Sequence, residues 1–497
     1  MDYISTRDKN LKISSSQAIV AGLSKDGGLF LPETIPSFSL AEIQAMAKMD
    51  YIGRAAQVLS AFLTDFTKEE LTEYISQAYR REKFPPKEVA PVISLDAQAN
   101  ILELFHGPTC AFKDFALQLL PYLLTASLKK NGVNKTVVIL VATSGDTGKA
   151  ALEGFADVPG TKICVFYPEG GTSNIQRLQM TTQTGENVMV FAAKGNFDDA
   201  QNGVKRIFTD KEFAKALDEK GFLLSSANSI NWGRLAPQIA YYFSAYCEML
   251  LAGRIALGDK INIVVPTGNF GNILAAYFAK RCGLPVNMLV CASNRNNVLT
   301  DFITTGTYDK NRDFYLTSSP SMDILISSNL ERLLFMLSGQ EDEKIRELMN
   351  QLVSCGRYTV DDLLREKIKA EFACGCADDG KTFETIGEVY KKTGYLCDTH
   401  TAVAVRVYEE YRAATGDKTP TVIASTASPF KFAGSVLPAL GEKPQGDDFD
   451  LLWALAEKTQ RTPPPALTEL KNKQERFTAV VEPKKMKDAV AGWLDVK

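Results

Sequence analysis

From about residue 100 onward, short apolar runs alternate with longer stretches of helical spacing, and this rhythm constrains the fold more than any other feature of the chain. The runs fall at 101–105, 136–142, 162–167, 188–192, 222–225, 261–266, 286–291 and 421–425. They are rich in Val and Ile and lack polar alternation, the pattern of strands buried on both faces. Helical spacing follows at 114–129, 198–218, 233–252 and 272–282. Strands alternating with helices predict a parallel α/β architecture, and the number of runs points to more than one sheet.

The segment before this rhythm reads differently. Asp26-Gly27-Gly28 marks a turn before the short strand 29–32, residues 40–49 and 68–81 have helical spacing, and Pro85-Pro86 closes a small N-terminal module. Residues 323–372 are mostly helical in pattern and lead into a Gly/Cys-rich loop, while Pro463-Pro464-Pro465 marks a late linker or loop. With 56 basic and 59 acidic residues the chain lacks the basic excess of a general nucleic-acid binder and does not suit an anionic membrane surface. No apolar stretch reaches the ~18 residues of a membrane span, and the N-terminus lacks the basic and apolar blocks of a secretory signal. Cys occurs nine times, without framework spacing. That reads as reduced thiols in a cytoplasmic protein. Cys374-Gly-Cys376 lacks the partner ligands of a zinc site, and only His106 and His400 could add imidazole.

Three strand-loop-helix junctions carry polar chemistry. At the first, His106-Gly107-Pro108-Thr109-Cys110-Ala111-Phe112-Lys113-Asp114-Phe115, Lys113 falls at a helix N-terminus. The positive end of the helix dipole and burial between Phe112 and Phe115 both disfavour the charged amine, leaving it free as nucleophile or base. A snorkelling surface lysine is the plainer account. At the second, Thr143-Ser144-Gly145-Asp146-Thr147-Gly148-Lys149, two glycines and successive amides suit an anion at the helix start, or simply a βα turn. It is not a nucleotide P-loop: Thr143 stands where the first Gly is needed, and Ala150 where Ser or Thr is needed. At the third, Pro266-Thr267-Gly268-Asn269-Phe270-Gly271-Asn272, the glycines let backbone approach one phosphate closely. Leu274 replaces the third Gly of a dinucleotide fingerprint. A structural turn remains the alternative. Asn228 and Ser229 are candidate caps of the helix that follows, and Arg234 in its first turn needs an anionic partner. A nucleophilic lysine with single-phosphate loops suggests pyridoxal phosphate.

These blocks, in this order, resemble the threonine synthases, through His-Gly-Pro-Thr-x-Ala-Phe-Lys-Asp at 106–114 above all. The likeness extends to Asp26-Gly27-Gly28-Leu29, Ser144 to Gly148, Asn228-Ser229-Ile230-Asn231 with Arg234, and Gly268 to Gly271. It also takes in Ser321-Met322-Asp323-Ile324 and Asp398-Thr399-His400-Thr401, and so spans about 20–435. The length and N-terminal module look like the longer bacterial and fungal subgroup.

The resemblance implies a fold type II pyridoxal-phosphate enzyme, tryptophan synthase β-like, with the cofactor between two α/β domains. The implied division is an N-terminal module at 1–85, a large domain at 86–135 and 235–440 with a helical insertion at about 323–372, a smaller mobile domain at 136–234, and an extension at 441–497. It implies a lyase converting O-phospho-L-homoserine and water to L-threonine and phosphate, acting as a monomer or homodimer. Lys113 would be the Schiff-base lysine and general acid-base. Thr267, Gly268, Asn269, Phe270, Gly271 and Asn272 would hold the cofactor phosphate, and Thr426 would face the pyridine nitrogen. Asp146 would lie near the ring hydroxyl. Ser144 and Thr147 would lie near the substrate, and Asn228, Ser229 and Arg234 would bind its phosphate. Two positions depart from the pattern: Ser428 replaces the family's usual His, and Asp146 stands where many relatives of the fold have Asn. The alternatives are a threonine or serine dehydratase, an amino-acid phospho-lyase, and a non-catalytic pyridoxal-phosphate carrier.

Overall fold

A computed structural model describes residues 1–143 and 145–496, leaving aside the side chain of Asp198. Two parallel-type sheets organise the chain. The larger has the order Phe372–Cys376, Val286–Ser293, Ile261–Pro266, Thr421–Ser425, Ala99–Glu103, Val92–Ser94, and only the last strand is antiparallel to its neighbour. The smaller has the order Val480–Val481, Val188–Ala193, Thr161–Pro168, Thr136–Ala142, Phe222–Ser225, parallel throughout. The Val/Ile runs are buried because helices cover both faces of each sheet. Every one of the three junctions leaves the C-terminal end of a parallel strand, where such folds place their sites.

The N-terminal segment forms a three-stranded antiparallel sheet, Asp8–Ile13, Tyr3–Ser5 and Phe30–Pro32, with helices that share the core beneath the larger sheet. Ser39 and Glu42, then Thr67 and Glu70, close reciprocal capping boxes at two helix starts. Trp232 joins the two parts. It is fully buried, with Tyr3, Phe62 and Phe278 rings at 5.4, 5.7 and 5.3 Å.

Several expectations change in detail. The continuous helix expected over 114–129 is two helices, Lys113–Leu117 and Leu120–Lys130. Pro121 lacks an N–H and its ring would meet the carbonyl four residues back. The helix expected over 198–218 divides at Asp210, which ends Phe197–Thr209 and caps Lys211–Glu219 through its carboxylate. The cap of the long helix Trp232–Leu251 is Asn231, not Asn228 or Ser229, because Asn231 accepts from the Gly233 N–H at 2.9 Å. The Gly/Cys-rich loop is the edge strand Phe372–Cys376, made regular by pairing with Leu289–Ser293. The proline run is not wholly loop, since Pro465 opens the short helix Pro465–Thr468. The far C-terminus completes the smaller sheet. Val480–Val481 pairs with Ala192–Ala193, and Met486 and Val490 enter its core, where Gly203 leaves room for the Met486 sulfur.

Candidate active site

The first junction places Lys113 as expected, at the start of a helix and with its side chain only 11% exposed. Its loop is zipped to the loop after Thr421–Ser425. The Phe112 N–H donates to Thr426 O at 2.9 Å, and the Ser428 N–H to Cys110 O at 3.1 Å. Thr426 and Ser428 are buried there. Beneath, Asp114 accepts from the Thr109 N–H and hydroxyl at 2.9 and 2.7 Å, which ties the turn, and burial pushes its carboxyl up to about 6.

The Lys113 amine lies 4.8 Å from the Phe112 ring centre. It donates to Ser321 Oγ at 3.2 Å and lies 3.6 Å from Asp146 Oδ2. Burial lowers its pKa most; Asp146 opposes, while Lys431 and Arg234 lower it further. The amine therefore reaches its neutral, nucleophilic form at lower pH than an exposed lysine. Helix position and burial were legible in sequence, but the charges around the amine were not.

The second junction is tied by its own threonine. The Thr143 hydroxyl accepts from the Gly145 and Gly148 N–H groups at 3.0 and 2.9 Å, so those amides are spent internally. Asp146 then puts a carboxylate at this helix start. It is buried and accepts from Lys431 Nζ at 2.6 Å, Gln176 Nε2 at 2.9 Å and the Ser321 hydroxyl at 3.3 Å. Burial alone would raise its pKa, yet Lys431 and Lys113 together hold it well below the usual carboxylate range. Thr147 is half-buried beside it, and Ser144 lies outside the described residues.

The third junction is the open one. Thr267 turns its hydroxyl back onto Val265 O at 2.7 Å, leaving the following amides at the start of the helix Gly271–Arg281 without an intrahelical partner. Phe270 takes a left-handed φ of 61° to make the turn. The Asn272 Oδ1 accepts from Tyr241 and Tyr242, while its Nδ2 is buried with no acceptor. A Cβ on Gly268 would come within 2.6 Å of Ser321 O, so the approach needs glycine. Asn329 joins this loop to the next one, donating to Asn269 O at 3.1 Å and Ser229 O at 3.2 Å.

Asn228 and Ser229 are half-buried in the loop before the helix Trp232–Leu251. Arg234 is buried in its first turn. One Nη donates to Ala227 O, its Nε has no partner, and no carboxylate bridges it among the described residues. Burial pulls its pKa down to about 10.

Sequence reading assigned no role to Ser321, His400 or Lys431. The Ser321 N–H donates to His400 Nε2 at 3.1 Å, which places the imidazole proton on Nδ1, 2.7 Å from Asp398 Oδ2. That dyad fixes the serine whose hydroxyl meets Lys113. The only sequence trace of these residues was their place in short polar blocks.

A buried amine with a lowered pKa, near unpartnered helix-start donors and between two α/β sheets, is the arrangement of a pyridoxal-phosphate dependent enzyme. Residues 101–426 match the family of that description, residues 2–79 match "Threonine synthase N terminus", and residues 401–490 match "Threonine synthase, C-terminal". Threonine synthase of Pseudomonas aeruginosa is 41% identical over 89% of this chain and 92% of its own. The structure of threonine synthase from yeast superposes with a TM-score of 0.89 at 34% identity, covering 99% of both chains. The pyridoxal-phosphate-bound threonine synthase from Brucella melitensis does so at 0.88 and 38%, covering 99% of this chain and 98% of its own. The chain belongs to the threonine synthase family. It is also 40% identical, over 96% of its length, to "Threonine synthase-like 1" of Macaca fascicularis, and spans 66% of that relative's length. The residues fit the cofactor of the class: Lys113 could supply the amine, and the unpartnered Asn272 Nδ2 with the helix-start amides could supply phosphate donors.

Proposed function

We propose that the protein converts O-phospho-L-homoserine and water to L-threonine and phosphate. The observation that carries this is Arg234, a buried guanidinium with an unpartnered Nε and, among the described residues, no carboxylate paired to it. A buried cation is costly unless paired, and a guanidinium fork suits a phosphate. A dehydratase, whose substrate has no phosphate, would have no use for it. The family match and the vacant donors beside Lys113 support the same reading.

On this reading pyridoxal phosphate, when bound, supplies an aldehyde to join Lys113 and a ring that accepts electrons released at the substrate's α-carbon. Thr267, Gly268, Asn269, Phe270, Gly271 and Asn272 would hold its phosphate, Thr426 would serve the ring nitrogen, and Asp146 would serve the ring hydroxyl. Arg234, Asn228 and Ser229 hold the substrate phosphate, and Thr147 lines the substrate side. The Lys113 amine takes and returns protons at the substrate carbons. The Ser321 hydroxyl accepts from the amine and donates to Asp146, and so orients it. The smaller sheet, with Asp146 and the 228–234 loop, acts as a domain distinct from the larger, and the enzyme works as a monomer or homodimer in the cytoplasm.

The test is release of threonine and inorganic phosphate from O-phospho-L-homoserine by the purified chain with pyridoxal phosphate. Equal release is expected, and Lys113→Ala should lose roughly 10²–10⁴-fold in rate. Phosphate without threonine would replace the synthase by a phospho-lyase.

A further inference from the structure

Asp146 raises a difficulty at the centre of the site. A buried carboxylate 3.6 Å from Lys113 favours the protonated amine. A protonated amine can neither attack an aldehyde nor remove a proton. Attraction between two opposite charges at such a separation is strong away from bulk water, so Asp146 on its own would work against the lysine it faces.

The structure supplies a second cation on the other side of the carboxylate. Lys431 lies in the turn Pro429–Phe432, directly after the loop zipped to Lys113, and its side chain is 0% exposed. Its Nζ donates to Asp146 Oδ1 at 2.6 Å and to Thr109 O at 3.1 Å. One lysine thus spans the two sheets: its backbone belongs with Thr421–Ser425 and Lys113, and its amine grips the helix Asp146–Phe155. It takes one carboxylate oxygen and leaves the other to Ser321 and Lys113.

We propose that Lys431 is a positioning residue for Lys113: it holds the Asp146 carboxylate in place and offsets its charge, so that Asp146 orients the amine without keeping it protonated. The other ionisable groups facing the cluster leave this role to Lys431. Asp114 turns to Thr109, and burial pushes its carboxyl up to about 6. The Cys110 thiol is pushed up to about 12 by burial. Lys149 is paired with Glu153, His400 meets the Ser321 backbone, and Arg234 donates to Ala227 O and not to Asp146. The inference rests on the proposed role of Lys113, and its test separates the two.

The experiment follows acylation of Lys113 against pH in the full chain after the cofactor has been resolved, read on the Lys113 peptide by mass spectrometry. Lys431→Met should move the midpoint up by about one pH unit, or about tenfold less neutral amine at a given pH. Lys431→Arg should keep the wild-type midpoint, and Asp146→Asn should lower it. Asp146→Asn with Lys431→Met should return it close to wild type, because each change removes one member of the pair. An unchanged midpoint in folded Lys431→Met would overturn the proposal. If that variant does not fold, Asp146→Asn decides, since a midpoint that fails to fall overturns it equally. Protection of Lys113 by added pyridoxal phosphate checks the functional reading separately: its absence would sink that reading while the midpoints still judged Lys431.

Discussion

The junctions at 143–148 and 267–272 share a design in sequence. Each has Thr at a strand end, two nearby glycines and a helix directly after. In the fold they do opposite work. Thr143 turns its hydroxyl forward, consumes the Gly145 and Gly148 amides, and leaves a helix start occupied by the Asp146 carboxylate. Thr267 turns its hydroxyl back to Val265, and the amides beyond it stay free beside the unpartnered Asn272 Nδ2. A helix N-terminus invites an anion, but the chain can supply that anion itself. One junction is a wall with its own charge, and the other, on the proposed reading, is a cradle for a charge brought from outside.

The largest effect is expected where a buried donor awaits an outside anion. Arg234→Met should raise KM for O-phospho-L-homoserine by about 10–100-fold, the worth of a charged hydrogen bond. It should leave thermal stability unchanged or raised, because it removes an uncompensated buried charge. A stability loss with KM unchanged would make Arg234 structural. Next comes the cradle itself. Gly268→Ala forces a Cβ against the Ser321 carbonyl. A clash of about 1–3 kcal/mol should weaken cofactor affinity by roughly 5–150-fold. Gly492→Ala, outside the cradle in the helix Met486–Leu494, meets nothing within 4 Å and should bind normally; fluorescence titration with pyridoxal phosphate compares the two, and equal affinities would deny that the cradle depends on close approach.

On the wall, Thr143→Val removes an internal cap and should cost about 1 kcal/mol of stability in urea unfolding. Cofactor affinity should hold; a tenfold loss would mean that the wall also serves as a cradle. The smallest effect is in pH. The Asp146 carboxyl is depressed in the fold, so its contribution to stability is present above the unfolded value of about 4 and is lost as pH falls below it. The stability gap between wild type and Asp146→Asn should therefore be flat from neutral pH to about 5 and shrink below about 4. A gap that closed already at pH 6 would contradict the depressed carboxyl.

Residues with local causes were readable. Lys113 sits at a helix start because its loop follows a buried strand, and Gly268 marks close backbone approach because glycine alone permits it. The Val/Ile runs predicted eight of the eleven strands of the two sheets, leaving out Val92–Ser94, Phe372–Cys376 and Val480–Val481. The strand Phe372–Cys376 was read as loop because Cys-Gly-Cys has little intrinsic strand character, and pairing with Leu289–Ser293 overrides that. Val480–Val481 was missed for a related reason: two residues carry no periodicity, and the partner strand lies far back along the chain.

By itself the sequence determined the α/β architecture, the candidate lysine and the family, because periodicity and ordered motifs are local properties of the chain. Tertiary structure alone decided which helix start is open, that Ser321 rests on His400 and Asp398, and that Lys431 answers Asp146. Those outcomes depend on where hydroxyls turn and on which charges meet across two sheets. Lys431 lies far from Asp146 in sequence, and nothing local to either residue records the 2.6 Å contact between them.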